Sequence, residues 1–517
     1  MNHHLSLRTL VGDKIAGFGD RVAIVDPRGA TTYAALARLR NQVGQALHAA
    51  GLSRGDRVGL CLPNGVEYVA LDLAILDLGL VKVALNEMLS PSDIAHCLND
   101  SSVAVVFTGP GLLDSVTAGA PPAATVVGVH CGATGVVPWE RFLEGHPETR
   151  LAAAPAPDDL GLVIYTGGTT GRPKGVMHTQ ERLAINIAAH IIELELGEDE
   201  RMLLMSPLPH SAGFHLQAGL AKGASIWLDS GFDPQQVLRR IADDKITFTF
   251  MVPTMIYRLL DAADGSSLDL GSLRTLVYGA APITEDRLRQ GLAVFGPVFS
   301  QLYGQSEAPN FLTRLTKGDH LVADDDGARL KSCGRAVAMS RIKVVAPDAA
   351  ELREVPVGEV GEIVASSPYT MIGYLGLPEA TAETIVDGWL RTGDIGRMDD
   401  DGYVYLLDRK KDMIITGGMN VYTTEVEQVV MSVPGVVTAS VVGVPHPDWG
   451  EAVVAVVTIA AESDGDTVRT DVIAACRSHL AKYKVPKRVD IVAQLPLTSV
   501  GKLDKKRMRA ESQPFPV

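Results

Sequence analysis

A glycine-rich stretch in the first third of the chain combines the residue types that bind phosphate. Residues 165–175 read Tyr-Thr-Gly-Gly-Thr-Thr-Gly-Arg-Pro-Lys-Gly and follow residues 160–166, a run typical of a buried strand. Glycines let the backbone wrap around an anion, while threonine hydroxyls and Lys174 add hydrogen-bond donors. A helix predicted directly after the loop would turn its positive end toward the anion. Because the spacing does not fit the Walker pattern, the stretch predicts a phosphate loop of another kind, with a plain surface loop as the alternative.

Strands and helices alternate through the first 300 residues, which predicts α/β layers around mainly parallel sheets. Strand-like runs occur at 57–62, 103–108, 160–166 and 273–278. From 334 to 408 the pattern changes to short strands, with a hairpin signal at Asp399-Asp400-Asp401-Gly402. We therefore predict a large N-terminal domain over 1–410 with a β-rich part at about 334–408, and a small mobile α+β domain over 411–517.

Composition excludes several function classes. The 517 residues carry 47 basic and 61 acidic side chains, a net charge of −14, and only 5% aromatic residues. This balance argues against a general nucleic-acid or membrane-surface binder. The segment from Arg477 to Arg509 is the exception, with ten basic and two acidic side chains. This basic segment would attract a compact polyanion, so the charge balance excludes only extended ones.

Cysteine usage and hydropathy indicate the compartment. The five cysteines are far apart and form no Cys-x-x-Cys pair, so neither a disulfide framework nor a zinc site is predicted. The most apolar long stretch, Val69 to Leu85, contains Asp72, Asp77 and Lys82, which argues against a bilayer span. No secretory signal is visible at the N-terminus. We expect a cytoplasmic protein without a membrane span.

Five stretches in the same order resemble the motifs of the adenylate-forming superfamily, which contains acyl-CoA synthetases, stand-alone adenylation domains and firefly-type luciferases. The first is the loop at 165–175, and the resemblance covers roughly residues 20 to 511. The others are Tyr-Gly-Ala-Ala-Pro at 278–282, Tyr-Gly-Gln-Ser-Glu at 303–307, Trp-Leu-Arg-Thr-Gly-Asp at 389–394 with 408–427, and Pro-Leu-Thr-Ser-Val-Gly-Lys at 496–502. The resemblance implies an ATP- and Mg²⁺-dependent acid:CoA ligase. A carboxylate and ATP would give acyl-AMP and pyrophosphate, and the thiol of coenzyme A would then attack the activated carbonyl.

The resemblance implies specific nucleotide contacts. Asp394 would accept hydrogen bonds from both ribose hydroxyls, and Arg409 would add a donor, with a plain ion pair as the alternative. Tyr303 would stack on adenine. Gly167 stands where serine is usual, which removes one donor, whereas Ser306 replaces threonine and keeps the hydroxyl. The residues implied around the phosphates are Thr166, Gly167, Gly168, Thr169, Thr170, Gly171 and Lys174; those implied around the adenine side are Gly279, Ala280, Ala281, Pro282, Tyr303, Gly304, Gln305 and Ser306.

The catalytic residues implied are Lys502, Glu307 and Thr166. The first step is an attack at the α-phosphate, where negative charge crowds the transition state. The Lys502 ammonium would bridge the attacking carboxylate and this phosphate, a contribution of about 3–4 kcal/mol. Glu307 would hold Mg²⁺, because a hard cation prefers carboxylate and phosphate oxygens.

The remaining residues implied serve the second step and the acyl group. Lys411 matches the hinge position, since Lys502 must enter for adenylation and leave before the thiol arrives. Gly417 and Gly418 would leave room for the pantetheine arm. His210 matches a histidine at the entry of the acyl pocket, with a structural histidine as the alternative. The apolar lining, represented by Phe214, Met251 and Phe311, favours a fatty, alicyclic, aromatic or terpenoid acid.

Three other functions stay open from the sequence. The enzyme could stop at acyl-AMP or load a carrier protein instead of coenzyme A. A nucleotide-binding regulatory protein with a degenerate site is a second alternative, although Lys502, Glu307 and Asp394 are all present. Light emission of the luciferase type is a remote third. A homodimer also stays open.

Overall fold

The computed structural model describes residues 5–153, 155–166, 172–265, 267–321, 329–347, 351–497, 503–513 and 515. Two compact units can be distinguished in it. The first contains the described residues up to Thr166, together with Arg172–Ile342 and Ala365–Leu390. The second contains Lys343–Val364 and the chain from Arg391 onward.

The strands are distributed along the whole chain. In chain order they are β1 (Val22–Asp26), β2 (Gly29–Thr32), β3 (Arg57–Cys61), β4 (Val81–Ala84), β5 (Val105–Thr108), β6 (Thr125–Gly128), β7 (Val137–Pro138), β8 (Leu160–Thr166), β9 (Lys174–Thr179), β10 (Arg201–Leu204), β11 (Ser225–Leu228), β12 (Phe248–Met251), β13 (Thr275–Tyr278), β14 (Phe299–Gln305), β15 (Ala308–Leu315), β16 (Arg335–Ala336), β17 (Arg341–Val345), β18 (Gly361–Ser366), β19 (Gly373–Tyr374), β20 (Ile385–Val386), β21 (Trp389–Met398), β22 (Val404–Arg409), β23 (Ile414–Thr416), β24 (Met419–Val421), β25 (Val436–His446), β26 (Gly450–Ile459) and β27 (Arg488–Ile491).

The helices alternate with the strands in the first 300 residues. They are α1 (Tyr33–Ala49), α2 (Val66–Asp77), α3 (Pro91–Asp100), α4 (Leu113–Gly119), α5 (Trp139–Leu143), α6 (Gln180–Glu193), α7 (Ser211–Lys222), α8 (Pro234–Asp243), α9 (Pro253–Ala263), α10 (Glu285–Phe295), α11 (Pro378–Thr384), α12 (Thr423–Met431), α13 (Gly465–His479) and α14 (Lys505–Glu511). Short helical turns lie at Arg8–Gly12, Ile15–Phe18, Pro110–Leu112, Asp319–Leu321, Arg329–Lys331 and Lys482–Lys484.

Two large sheets form the first unit. One runs in the order β16-β15-β14-β13-β12-β10-β11-β1-β2 and is parallel from β14 to β1. The other runs in the order β19-β9-β8-β4-β3-β5-β6-β7 and is parallel from β8 to β7. Their central strands are almost entirely buried, as is typical of parallel sheets, which helices cover on both faces. The layered α/β architecture predicted from the sequence is confirmed.

Local sequence signals explain where several helices begin and end. Ser90 caps α3 by accepting a hydrogen bond from the Asp93 N–H, and Pro91 occupies the first helical position. Thr179 caps α6 in the same way. Gly223 ends α7 in the left-handed conformation, with a φ of 80°. Gly223 thus fixes the C-terminal end of α7, the helix that contains Phe214.

The second unit has smaller sheets. The strands β17, β18 and β21 lie in that order, and β22 pairs with β21 in antiparallel fashion. Farther along the chain, β24-β23-β26-β25 form a sheet to which β27 adds in parallel beside β26. Valines from α12, α13, β25 and β26, among them Val426, Val441, Val453 and Val472, fill the core of this sheet. The predicted small α+β fold agrees with this arrangement, whereas the predicted boundary at residue 410 and the mobility stay predictions.

One local prediction was wrong. The glycine-rich loop is followed by the strand β9 and not by a helix, since α6 begins only at Gln180. The physical reason is the antiparallel pairing of β9 with β8, from Thr166 opposite Lys174 to Leu160 opposite Thr179. The residue types within 174–179 do not reveal which other segment of the chain pairs with them. The argument from a helix end next to the loop therefore does not apply.

Helices in the described part of the chain are nowhere both long and apolar enough to cross a bilayer.

Candidate functional site

The two described ends of the predicted phosphate loop face each other. Thr166 is the last residue of β8, Lys174 is the first residue of β9, and the two are direct partners in the antiparallel ladder. The two strand ends that border the predicted loop therefore lie side by side. Gly167, Gly168, Thr169, Thr170 and Gly171 lie outside the described residues, so their predicted contacts stay predictions.

The motif at 303–307 forms the turn between β14 and β15. Gln305 pairs with Ala308 across this hairpin, which leaves Ser306 and Glu307 as the turn. Gly304 is required by close packing, since a Cβ there would lie 2.7 Å from backbone atoms of Asn310. His178 stabilises this turn, with its Nε2 2.8 Å from the Ser306 carbonyl oxygen. Because a carbonyl oxygen can only accept, His178 Nε2 carries the proton and donates it in this hydrogen bond.

The Glu307 carboxylate is held by a tyrosine that no motif had named. The Tyr374 hydroxyl donates a hydrogen bond of 2.7 Å to Glu307 Oε1. The Lys174 ammonium lies 5.0 Å from the centroid of the same ring, within the range of a cation–π interaction. Burial and the neighbouring Glu307 carboxylate raise the pKa of Tyr374 above its usual value, so the hydroxyl stays a donor at neutral pH. The structure thus brings together the predicted cation-binding carboxylate and the predicted phosphate-binding lysine.

The chemistry of this carboxylate fits the implied Mg²⁺ ion. Within the described residues, no three His, Cys, Asp or Glu side chains are grouped to enclose a metal. Mg²⁺ usually binds through one or two carboxylates together with substrate phosphates, so a single carboxylate beside a phosphate loop is the expected arrangement. When bound, Mg²⁺ would neutralise phosphate charge, and Glu307 would be its protein ligand.

The motif at 278–282 follows β13 and packs against the strand that carries Tyr303. A Cβ at Gly279 would lie 2.5 Å from the Leu302 carbonyl oxygen, so only glycine lets the two backbones approach. Ala280 has a φ of 66°, which is uncommon for a residue with a side chain, and it is exposed together with Ala281 and Pro282. The side chain of Tyr303 is largely buried. The predicted adenine residues therefore lie at the ends of adjacent parallel strands.

The predicted acyl-pocket residues come together only in part. The Phe214 ring stacks on His190 at 6.0 Å, and the Phe311 ring meets His190 edge-on at 4.8 Å. Met251 belongs to a separate hydrophobic cluster, whereas its neighbour Phe250 joins the cluster of Phe214 and Phe311. The alternation of side chains along β12 explains the difference, because successive residues point to opposite faces. His210 directly precedes α7 and is half-buried.

A buried polar network supports this aromatic cluster. His190 Nδ1 donates to the Asn186 carbonyl at 2.8 Å, and the Asn310 amide donates to His190 Nε2 at 2.8 Å. The Ser211 hydroxyl donates to the Asn310 side-chain oxygen. The network fixes the tautomer of His190 and ties together α6, α7 and β15. Burial lowers the pKa of His190 to about 4, so the ring is neutral.

The second unit contains the predicted ribose-binding residues. Asp394 on β21 and Arg409 on β22 are cross-strand partners, and Arg409 Nε lies 2.7 Å from Asp394 Oδ1. Asp394 is buried. The structure thus shows the ion pair that the sequence had left as the alternative, on the two residues that the motifs assign to ribose.

The other predicted residues of the second unit lie in two turns and at the chain end. Gly417 and Gly418 form the exposed turn between β23 and β24, both with positive φ values of 56° and 77°. Lys411 is exposed, and the Arg509 guanidinium donates to its carbonyl oxygen at 3.4 Å. Lys502 lies outside the described residues. Its role stays a prediction.

The sequence reasoning missed His190, Asn310 and Tyr374. A histidine on the apolar stripe of α6 is a weak signal, since buried polar groups must be hydrogen-bonded and their partners are distant in sequence. Tyr374 is 67 residues from Glu307 along the chain. Local pattern contains no information on such a contact.

Comparison with known proteins agrees with this geometry. A model of the AMP-binding enzyme family matches residues 12–375, and a model of the AMP-binding enzyme C-terminal domain matches residues 425–502. The first match alone covers more than half of the chain.

Named relatives and a solved structure align over nearly the whole chain. The medium/long-chain-fatty-acid–CoA ligase FadD8 of Mycobacterium tuberculosis is 38% identical, with 91% of this chain and 84% of the relative covered. A feruloyl-CoA synthase of Amycolatopsis sp. is 39% identical, with coverages of 93% and 94%. The amide bond synthetase McbA of Marinactinospora thermotolerans has a similar structure, with a TM-score of 0.87, 31% identity and coverages of 98% and 99%. The five motifs, the fold and these matches together show that the chain belongs to the AMP-binding enzyme family, as its resemblance to the adenylate-forming superfamily predicted.

Proposed function

We propose that this chain activates a hydrophobic carboxylic acid with ATP, releases pyrophosphate, and transfers the acyl group from acyl-AMP to coenzyme A. The predicted enzyme class, an AMP-forming acid:CoA ligase that uses ATP, Mg²⁺ and coenzyme A, is confirmed at the level of the family and its named CoA ligases. The observation within the structure that carries the proposal is the Tyr374 ring, which contacts both Glu307 and Lys174. A carboxylate for a hard cation, in the β14–β15 turn, and an ammonium for phosphate, at the first residue of β9, are thereby held by one side chain.

The acid itself is proposed from the aromatic cluster. The neutral His190 ring contacts Phe214 and Phe311, and Phe250 belongs to the same hydrophobic cluster as these two phenylalanines. Such a lining favours an apolar acyl group over a charged one, because a buried charge without a partner is costly. The names of the two relatives point to medium- and long-chain fatty acids and to ferulic acid as the acids to test first.

Pyrophosphate release with a panel of acids tests this proposal. The panel contains fatty acids of increasing length, ferulic acid, a benzoic acid and, as a charged control, a dicarboxylic acid. We expect the highest kcat/KM with an apolar acid, and a loss of roughly a hundred- to a thousandfold in Lys502→Ala. Release from every acid at the background rate would contradict the proposal and favour the regulatory alternative. Full adenylation activity in Lys502→Ala would contradict the assignment of that lysine.

The acyl acceptor needs its own experiment. The similarity to an amide bond synthetase indicates that an amine is an acceptor to compare with coenzyme A and a carrier protein. Mass spectrometry of the products formed with each acceptor distinguishes them. We expect acyl-CoA; acyl-AMP without acyl-CoA under the same conditions would contradict that part of the proposal.

A cytoplasmic location and a homodimer remain predictions, which cell fractionation and sedimentation would check.

A further inference from the structure

Tyr374 contacts two residues of the proposed Mg·ATP site from a segment that lies outside all five motifs. The residue is buried, with 8% of its surface exposed. Its hydroxyl donates to Glu307 Oε1 at 2.7 Å, and the Lys174 ammonium lies over its ring, 5.0 Å from the centroid. A carboxylate and an ammonium that both act on phosphates are thus held by one side chain.

The backbone around Tyr374 is tied to both of the elements that carry these groups. The Met371 N–H donates to the Glu307 carbonyl at 2.7 Å, which attaches the segment to the β14–β15 turn. On the other side, Tyr374 pairs with Val176 on β9, and the Leu375 N–H donates to the Gly175 carbonyl at 2.8 Å. The residues from 371 to 375 therefore connect the Glu307 turn to the strand that begins at Lys174.

The backbone amide of Tyr374 is also satisfied. It donates to the Thr381 hydroxyl at 2.9 Å, and that hydroxyl donates in turn to the Leu377 carbonyl at 2.8 Å. Because its backbone and its ring are both held, the hydroxyl can fix the carboxylate with little loss of side-chain freedom.

We propose that Tyr374 is a positioning residue of the Mg·ATP site, which it serves by orienting the Glu307 carboxylate through its hydroxyl and the Lys174 ammonium through its ring. The inference rests on the proposed function. Among the described residues, Tyr374 provides the one hydrogen bond to the Glu307 side chain, and it occupies Oε1. The Glu307 carboxylate would hold Mg²⁺ in the orientation that this hydrogen bond sets. Groups that hydrogen-bond to a metal-ligating carboxylate usually change metal affinity by about ten- to a hundredfold when they are removed.

Direct binding of ATP without an acid tests the inference, because no turnover is involved. Equilibrium dialysis gives the Kd of ATP in Mg²⁺ and in EDTA, and their ratio measures how strongly Mg²⁺ supports binding. Tyr374→Phe keeps the ring and removes the hydroxyl. We expect this ratio to fall by about tenfold in Tyr374→Phe, with the Kd in EDTA unchanged. Tyr374→Leu also removes the ring, so we expect weaker ATP binding in EDTA as well.

A matched control is Tyr33→Phe. Tyr33 is fully buried and its hydroxyl donates to the Ala224 carbonyl at 2.6 Å, so this variant loses a buried hydrogen bond at another place in the first unit. We expect a wild-type ratio for it. A second measurement places Tyr374→Phe in a Glu307→Gln background, where its effect on the ratio should disappear if the hydroxyl acts through the carboxylate.

The outcomes separate this inference from the proposed function. Three results would each overturn the inference alone. Tyr374→Phe could show the wild-type ratio of ATP Kd values, or it could lose equal ATP affinity in Mg²⁺ and in EDTA. It could also lower the ratio as much in the Glu307→Gln background as in the wild type. A wild-type protein that neither binds ATP nor releases pyrophosphate with any acid would overturn the proposed function, and this inference with it.

Discussion

Arg409 and Asp394 are paired side by side across two antiparallel strands, with Arg409 Nε 2.7 Å from Asp394 Oδ1. The Asp394 side chain is 7% exposed and that of Arg409 is 40% exposed. Asp394 is further placed by its backbone N–H, which donates to the Thr392 hydroxyl at 3.1 Å. An arginine that orients a mostly buried carboxylate is compatible with a structural ion pair and with a ribose-binding carboxylate.

Asp394→Asn distinguishes these two roles. If the carboxylate accepts both ribose hydroxyls, the KM for ATP should rise by about tenfold, since hydrogen bonds to charged groups contribute roughly 1.5–3 kcal/mol. Steady-state kinetics of pyrophosphate release at saturating acid measure this. The control is Asp401→Asn, which removes the same charge from the exposed turn of the same hairpin. A lower melting temperature with an unchanged KM would leave the ion pair as the role of Asp394.

Gly279→Ala should disturb the predicted adenine side of the site. The added Cβ would lie 2.5 Å from the Leu302 carbonyl oxygen, so β13 and β14 must move apart or the stretch after β13 must shift. We expect a loss of about 1–3 kcal/mol in the free energy of unfolding, together with weaker ATP binding. Gly231→Ala is the control, because nothing lies within 4 Å of a Cβ there. Equal stability of the two variants in urea titrations would contradict the close approach of the two strands.

Lys411→Pro tests the predicted hinge. The segment around it is a turn in which the N–H groups of Asp412 and Met413 both donate to the Arg409 carbonyl, at 2.9 and 3.0 Å. Proline restricts φ to about −65° and limits the residue before it, so a backbone rotation at this point is hindered. We expect thioester formation from acyl-AMP to slow by roughly tenfold while adenylate formation is kept.

Single-turnover measurements give the rates of adenylate formation and thioester formation separately. Lys411→Ala keeps the backbone free and serves as the control, with both steps close to wild type. Equal slowing of both steps in Lys411→Pro would argue against a hinge at this residue.

Buried histidines should make the stability of the first unit sensitive to acid. Burial lowers the pKa of His178 and His190 from 6.5 to about 4. As the pH falls below 6.5, these histidines bind protons in the unfolded chain while they stay neutral in the folded protein. The free energy of unfolding is therefore unaffected by these histidines above pH 6.5 and decreases as the pH falls from 6.5 toward 4. Each histidine then contributes a slope of about 1.4 kcal/mol per pH unit inside that window.

The measurement is the melting temperature at pH 7.0 and 5.5. His190→Gln removes one titrating group and keeps an amide for hydrogen bonding, so its melting temperature should change less between these two pH values than that of the wild type. A variant with the same pH dependence as the wild type would contradict the assignment to His190.

Much of the architecture could be predicted because short apolar runs and turn residues in the sequence determine it locally. The apolar runs at 160–166 and 273–278 are strands, and β21 and β22 form the hairpin signalled by three aspartates and a glycine. The strand β9 could not be predicted in the same way. Its residues, from Lys174 to Thr179, become a strand because β8 offers a partner for the whole length of the segment.

The order of the five motifs and their residue types was enough to predict the family and the use of ATP, whereas the role of each site residue stays a prediction. This is possible because phosphate loops, metal-binding carboxylates and tight glycine turns depend on short stretches of chain. Only the tertiary structure decided which side chains meet. It placed Tyr374 against both Glu307 and Lys174, paired Asp394 with Arg409, and put Phe250 rather than Met251 in the hydrophobic cluster that contains Phe214. Such contacts are set by strand pairing and by the face on which a side chain emerges, and both are properties of the folded chain.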